Sequence, residues 1–90
     1  TMWKDHRCSL QLHNHKKETI YVISGRLRII SGPDQYNLTG KIYTAGESIT
    51  ISPGVVHRME GAEESVYLES STPEIDDVVR LVDDYDRSNK

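Results

Sequence analysis

Residues 8 to 14 alternate between polar and apolar side chains, with Leu10 and Leu12 on one side and Ser9, Gln11, His13 and, one step further, His15 on the other. A two-residue period is that of a half-buried strand. "TIYVISG", residues 19–25, predicts a second strand, dense in β-branched and aromatic residues and closed by Ser24-Gly25. "RLRIISG", residues 26–32, predicts a third. Turn-forming residues in "SGPDQ", 31–35, separate it from a hairpin partner around 36–38 and a further strand at 41–44. In "GESITISPGVVH", 46–57, a turn leads into a short strand with Ile49 and Ile51 on one face, and a Pro-Gly turn then delivers His57. Residues 66–70 give one more strand. Short strands with Gly and Pro between them predict an all-β fold, a small antiparallel barrel or a double-sheet jelly roll.

The last twenty residues change character. Ser71-Thr72-Pro73-Glu74 has the form of a helix start, and Ile75, Val78, Val79 and Val82 follow at helical spacing. We expect 73–85 to be a short helix or irregular arm outside the barrel. The whole chain, 1–90, then forms one domain, with 8–70 as the barrel and 71–90 as an acidic C-terminal arm. Little sequence precedes the first strand, so either the barrel lacks an opening strand or a second copy of the chain supplies the missing edge; a homodimer is the simpler expectation.

Composition narrows the partners. The net charge of −3 is uneven: residues 1–62 carry 8 Lys/Arg against 5 Asp/Glu, and 63–90 carry 3 against 9. No basic face of the kind that binds nucleic acid is expected from this balance. No apolar run is long enough for a membrane span and no leader pattern is evident, so neither a membrane nor secretion is expected. Cys8 is the only cysteine, which fits a reduced cytoplasmic setting and a small half-buried residue rather than a nucleophile.

The candidate chemistry follows from strand parity. His13, His15 and Gln11 share a face of the first strand, and Glu18 shares parity with Ile20 and Val22 on the second, so a carboxylate turns inward wherever those two do. His57 arrives from a distant segment. Three imidazoles and a carboxylate converging from separate strands are a divalent-ion donor set with one or two positions left open. Zinc is expected first, and manganese, iron or nickel accept the same donors. Gln11 is either a ligand in place of His15 or a hydrogen-bonding neighbour of the ligands. Glu18, if not tied up as a ligand, is the first candidate for a proton shuttle. Lys16 and Arg58 lie near enough in sequence to hold an anionic group. Tyr21 and Tyr67 read as wall residues, Trp3 as a packing residue and His6 as solvent-exposed.

"HNHKKETIYVISG", 13–25, and "GESITISPGVVH", 46–57, resemble the two motifs of the cupin superfamily. The resemblance implies a double-stranded β-helix with a metal at its mouth. Within it, "SLQLHNHKKE", 9–18, and "LESSTPEIDDVVRLVDDYDR", 68–87, are similar to the type II mannose-6-phosphate isomerases, often the C-terminal part of mannose-1-phosphate guanylyltransferases. That similarity places substrate or phosphate contacts at Arg80 and Arg87. Helical ion pairs with Asp76, Asp83 and Asp84 account equally for both arginines. The chain departs from the pattern at Lys16, where arginine is usual, at Thr19, where histidine is usual, and at Asp86, where glycine is usual.

Two functions follow. One is metal-dependent aldose-ketose isomerisation of a phosphorylated or nucleotide-linked sugar through an enediolate. The other is a non-catalytic carbohydrate-binding or assembly module of surface-sugar biosynthesis. An iron-dependent dioxygenase is a third use of the same donors.

Overall fold

A computed structural model describes residues 1–73 and 78–82. They form β1 (Leu10–Leu12), β2 (Glu18–Ser24), β3 (Arg26–Gly32), β4 (Thr39–Thr44), β5 (Ser48–Ile51), β6 (Val56–Gly61), β7 (Val66–Ser71) and β8 (Val79–Val82). Every pairing is antiparallel. One sheet has the order β4-β3-β6-β1-β8 and the other β5-β2-β7. Their inner faces meet in a core of Ile20 and Val22 from β2, Leu27 and Ile29 from β3, Ile51 and Met59, closed at one end by Met2. Alternation sets this directly: in β2, Glu18, Ile20 and Val22 are buried while Tyr21 and Ile23 are exposed. Burial of each large aliphatic side chain contributes about 1.5–3 kcal/mol.

The expected double-sheet all-β fold is present, with three differences in its elements. Residues 36–38 are not a strand. Asp34 accepts a hydrogen bond from the Tyr36 amide at 2.8 Å and from Asn37 Nδ2 at 2.9 Å, which holds an Asx turn, and β4 begins only at Thr39. The segment delivering His57 is itself a strand, β6, the central strand of the larger sheet.

The third difference lies in the C-terminal arm. Residues 79–82 are β8, paired with β1, and not part of a helix. Val78-Val79-Arg80-Leu81-Val82 is rich in β-branched residues, and β1 offers it an open edge; ladder pairing therefore outweighs the helical spacing of the valines. The rest of the expected helix, 74–77 and 83–85, lies outside the described residues, as does Arg87. With β8 on its free edge, β1 needs no strand from a second copy. Trp3 does not pack inward and is 57% exposed, whereas Met2 is buried and bridges to Ser65. Among the described residues no helix is long and apolar enough to cross a membrane.

Candidate metal centre

Three side chains from three different places in the chain meet at one end of the core. His13 follows β1, Glu18 opens β2 and His57 lies on β6, and each is buried. One ligand atom from each lies within 4.8 Å of the others. His13 Nε2 is 2.5 Å and His57 Nε2 3.4 Å from the same carboxylate oxygen, Glu18 Oε1. The two imidazole rings stand 5.3 Å apart at 43°.

Local structure fixes each donor. Gln11 pairs with His57 across β1 and β6, so both side chains turn to the same inner face. The turn before β6 is docked on the segment bearing His13, since the Gly54 amide donates to the His13 carbonyl at 2.7 Å. Gly54 has φ +84, the left-handed region that suits glycine. His57 Nδ1 lies 3.0 Å from the Val55 carbonyl and donates to it, which leaves Nε2 to meet Glu18. Strand parity ends at His13: the chain bends at Asn14 and His15, so His15 is exposed and stands outside the group, contrary to its expected place among the ligands.

The Glu18 carboxylate is held ionised, with its pKa lowered from 4.5 to about 2. A hydrogen bond from His57 is the largest cause, and the charges of His13 and His57 add to it against the opposing effect of burial. Glu18 is therefore suited to holding a cation rather than carrying a proton near neutrality.

A cavity of about 320 Å³ opens over the group. Gln11, His13 and Glu18 form part of its wall; Lys16 and Arg80 also line it, bringing together two of the cations singled out in the sequence. Arg58 does not reach it in the same way: its Nε and Nη2 donate to the Cys8 carbonyl at 3.1 and 2.9 Å, so it clamps the start of β1. Tyr67 lines the cavity, whereas Tyr21 points outward.

One residue in the wall was not foreseen. Glu69 sits on β7 opposite Ile20, on the inward side of the strand, and its carboxyl end reaches the pocket although the residue as a whole is exposed. Burial of that end, then the neighbouring Glu18 carboxylate and a hydrogen bond with it, raise its pKa. Tyr67, beside it, is likewise pushed up by burial, with Cys8 and Glu69 contributing. The alternation of "VYLESS" held the signal: once Val66 and Leu68 face outward, Tyr67 and Glu69 must face inward.

Two nitrogens and one carboxylate oxygen, buried and converging below an open cavity, fit a divalent cation with coordination positions to spare. Comparison with known proteins agrees with this arrangement at the level of fold. Residues 1–70 match the family model described as "Cupin domain". No curated protein sequence matches the chain. Among solved structures, the capsular polysaccharide assembling protein CapF from Staphylococcus aureus superposes with a TM-score of 0.75 at 20% identity, over 89% of this chain and 26% of that one. An oxalate oxidase in complex with the substrate analogue glycolate gives 0.72 at 19% identity, over 88% and 42%. KdgF from Halomonas sp. gives 0.69 at 13% identity, over 82% and 64%. The chain thus spans about a quarter of CapF, and at these identities the likeness is one of fold.

Proposed function

The chain belongs to the cupin family, and on that footing we propose that it is a metal-dependent enzyme moving a proton on a small anionic hydroxy-carbonyl compound, a phosphorylated or nucleotide-linked sugar. The observation that carries this reading is the company of the donor group: a second carboxylate, Glu69, and two cations, Lys16 and Arg80, line the same cavity. Neither pure metal storage nor neutral-ligand binding calls for that combination.

His13, Glu18 and His57 would hold the ion, zinc first and manganese, iron or nickel as alternatives, and the ion would supply Lewis-acid polarisation of a carbonyl. Glu69, whose raised pKa brings it nearer to neutrality, takes a proton from the carbon beside the carbonyl and returns it to the neighbouring carbon. That transfer, with the proton of the adjacent hydroxyl passing to the carbonyl oxygen, interconverts aldose and ketose through an enediol with no other reactant. Lys16 and Arg80 hold the phosphate, and Gln11 and Tyr67 orient hydroxyl groups. Glu18, committed to the cation site, no longer serves as the shuttle.

The resemblance of 9–18 and of the tail to type II mannose-6-phosphate isomerases supports testing mannose 6-phosphate first. Metal-loaded protein is incubated with it in deuterated water, and fructose 6-phosphate and deuterium at the carbon beside the carbonyl are scored. Formation of ketose with deuterium uptake supports the reading. Bound metal with no exchange on any of a panel of sugar phosphates overturns it and favours the second reading, a carbohydrate-binding module in surface-sugar assembly. The fold shared with CapF, a capsular polysaccharide assembling protein, is what favours that alternative.

A further inference from the structure

The larger sheet carries a second cavity on its outer surface, of about 630 Å³ against about 320 Å³ for the one over the donor group. Strand parity keeps the two apart: Cys8 and Met59 line the inner cavity, and their chain neighbours Arg7 and Glu60 line the outer one. The segment before β1 builds the outer cavity. Met2 bridges to Ser65, and the Cys8 amide donates to the Met59 carbonyl at 2.9 Å. Between these anchors residues 3–6 form a turn, in which the His6 amide donates to the Trp3 carbonyl at 3.1 Å. Gly61 makes room for the turn, since a Cβ there would collide with the Trp3 carbonyl. Asp5 has φ 66, the only positive φ of a non-glycine residue among the described residues, and both Asp5 and His6 line the cavity.

We propose that this outer cavity binds a small polyhydroxy anion, a sugar bearing a phosphate or a carboxylate, at a site separate from the metal centre. Five of its seven lining residues are ionisable: Asp5, His6, Arg7, Arg28 and Glu60. Glu60 stands between the two arginines, its Oε2 3.4 Å from Arg7 Nη1 and its Oε1 3.4 Å from Arg28 Nη1. The register of β3 and β6 sets Arg28 opposite Glu60, and an isolated bridge sets Arg7 opposite it on the other side. The stem of Arg28 runs over Gly40, where a Cβ would lie 3.5 Å from its Cδ. Backbone pairing, not the loose reach of long side chains, therefore assembles the three charges. One carboxylate between two guanidinium groups leaves the trio net positive, and the guanidinium fork fits a phosphate or carboxylate. The oxygens of Asp5 and Glu60 accept hydrogen bonds from hydroxyl groups, which a bare inorganic anion does not offer. Surface ion pairs contribute little to stability, so bracing of the sheet is a weak account of charges gathered round one opening. The volume is within the range of small-molecule sites, about 300–1,000 Å³.

Amide chemical shifts of the isotope-labelled 90-residue chain, titrated with glucose 6-phosphate and separately with glucuronate, test this. Saturable shifts are expected at residues 5–7, Arg28 and residues 60–62 with at least one of the two compounds, and which compound acts identifies the anionic group. Arg7→Gln and Arg28→Gln should each raise the dissociation constant read at those amides at least fivefold, with circular dichroism as in the parent chain. Arg26→Gln should leave it unchanged, because Arg26 pairs with Glu63 at 3.8 Å and neither lines the cavity. Shifts at Gln11, Lys16 and Arg80 report the metal cavity separately, so failure at one site is distinguishable from failure at the other. The proposal is overturned by the absence of saturable shifts at the outer cavity or by shifts indifferent to both substitutions in the cavity. Inorganic phosphate or acetate binding there as tightly as the matching sugar also overturns it.

Discussion

Glu18 and Glu69 show how environment assigns different work to one residue type. Both face inward from neighbouring strands, but Glu18 lies against two imidazoles and Glu69 lies against Glu18. The first is held as an anion and the second is pressed toward its neutral form. Glu69→Gln should therefore retain one metal ion per chain while solvent deuterium exchange into a turned-over sugar phosphate falls by 10²-fold or more, the usual scale of a lost acid-base group. Full exchange in that variant would remove Glu69 from the proton path. Glu18 also makes a pH prediction for the metal-free chain. Its folded pKa of about 2 lies below the unfolded value of 4.5, so its stabilising contribution is complete above 4.5 and lost as pH falls toward 2. The melting temperature of the metal-free chain should drop through that window, and Glu18→Gln should flatten the drop; an identical profile in the variant would show that the carboxylate is not held by the histidines.

At the scale of elements, the strand pattern was legible wherever one face met the core and the other met water. β2 and β3 are of that kind, and so is the inward turn of Glu18 with Ile20 and Val22. β6 was not legible, because nearly all of it is buried and its polar residues have partners that sequence does not display. His57 meets Glu18, Arg58 clamps the Cys8 carbonyl, and Glu60 pairs with Arg7 and Arg28. His15 was misplaced for a related reason: alternation holds only while the ladder lasts, and β1 ends at Leu12. β8 was hidden by valines that satisfy helical and extended spacing alike until the edge of β1 decides between them. The turn joining β5 to β6 carries a prediction of its own. A methyl group at Gly54 meets nothing within 4 Å, so Gly54→Ala tests backbone conformation alone. It should cost about 1–2 kcal/mol in chemical denaturation and weaken metal binding through the Gly54–His13 link. Unchanged stability and affinity would mean that the turn does not position the histidines.

For the whole molecule, the two sheets place their polar investment on opposite sides. The inner face at one end gathers the donor group and the cavity, and the outward positions within β2, β5 and β7 carry only hydroxyl and apolar side chains. A cation bound at His13, Glu18 and His57 would tie β2, β6 and the segment after β1 together across both sheets, and any ligand that binds only the folded chain raises its stability with concentration. The account rests most heavily on that site. Isothermal titration of the metal-free chain with zinc, repeated with manganese, tests it directly. The expected result is one ion per chain, with binding kept in His15→Ala and lost in the His13→Ala/His57→Ala double variant. Binding of undiminished stoichiometry and affinity in the double variant, or its loss in His15→Ala, would contradict it.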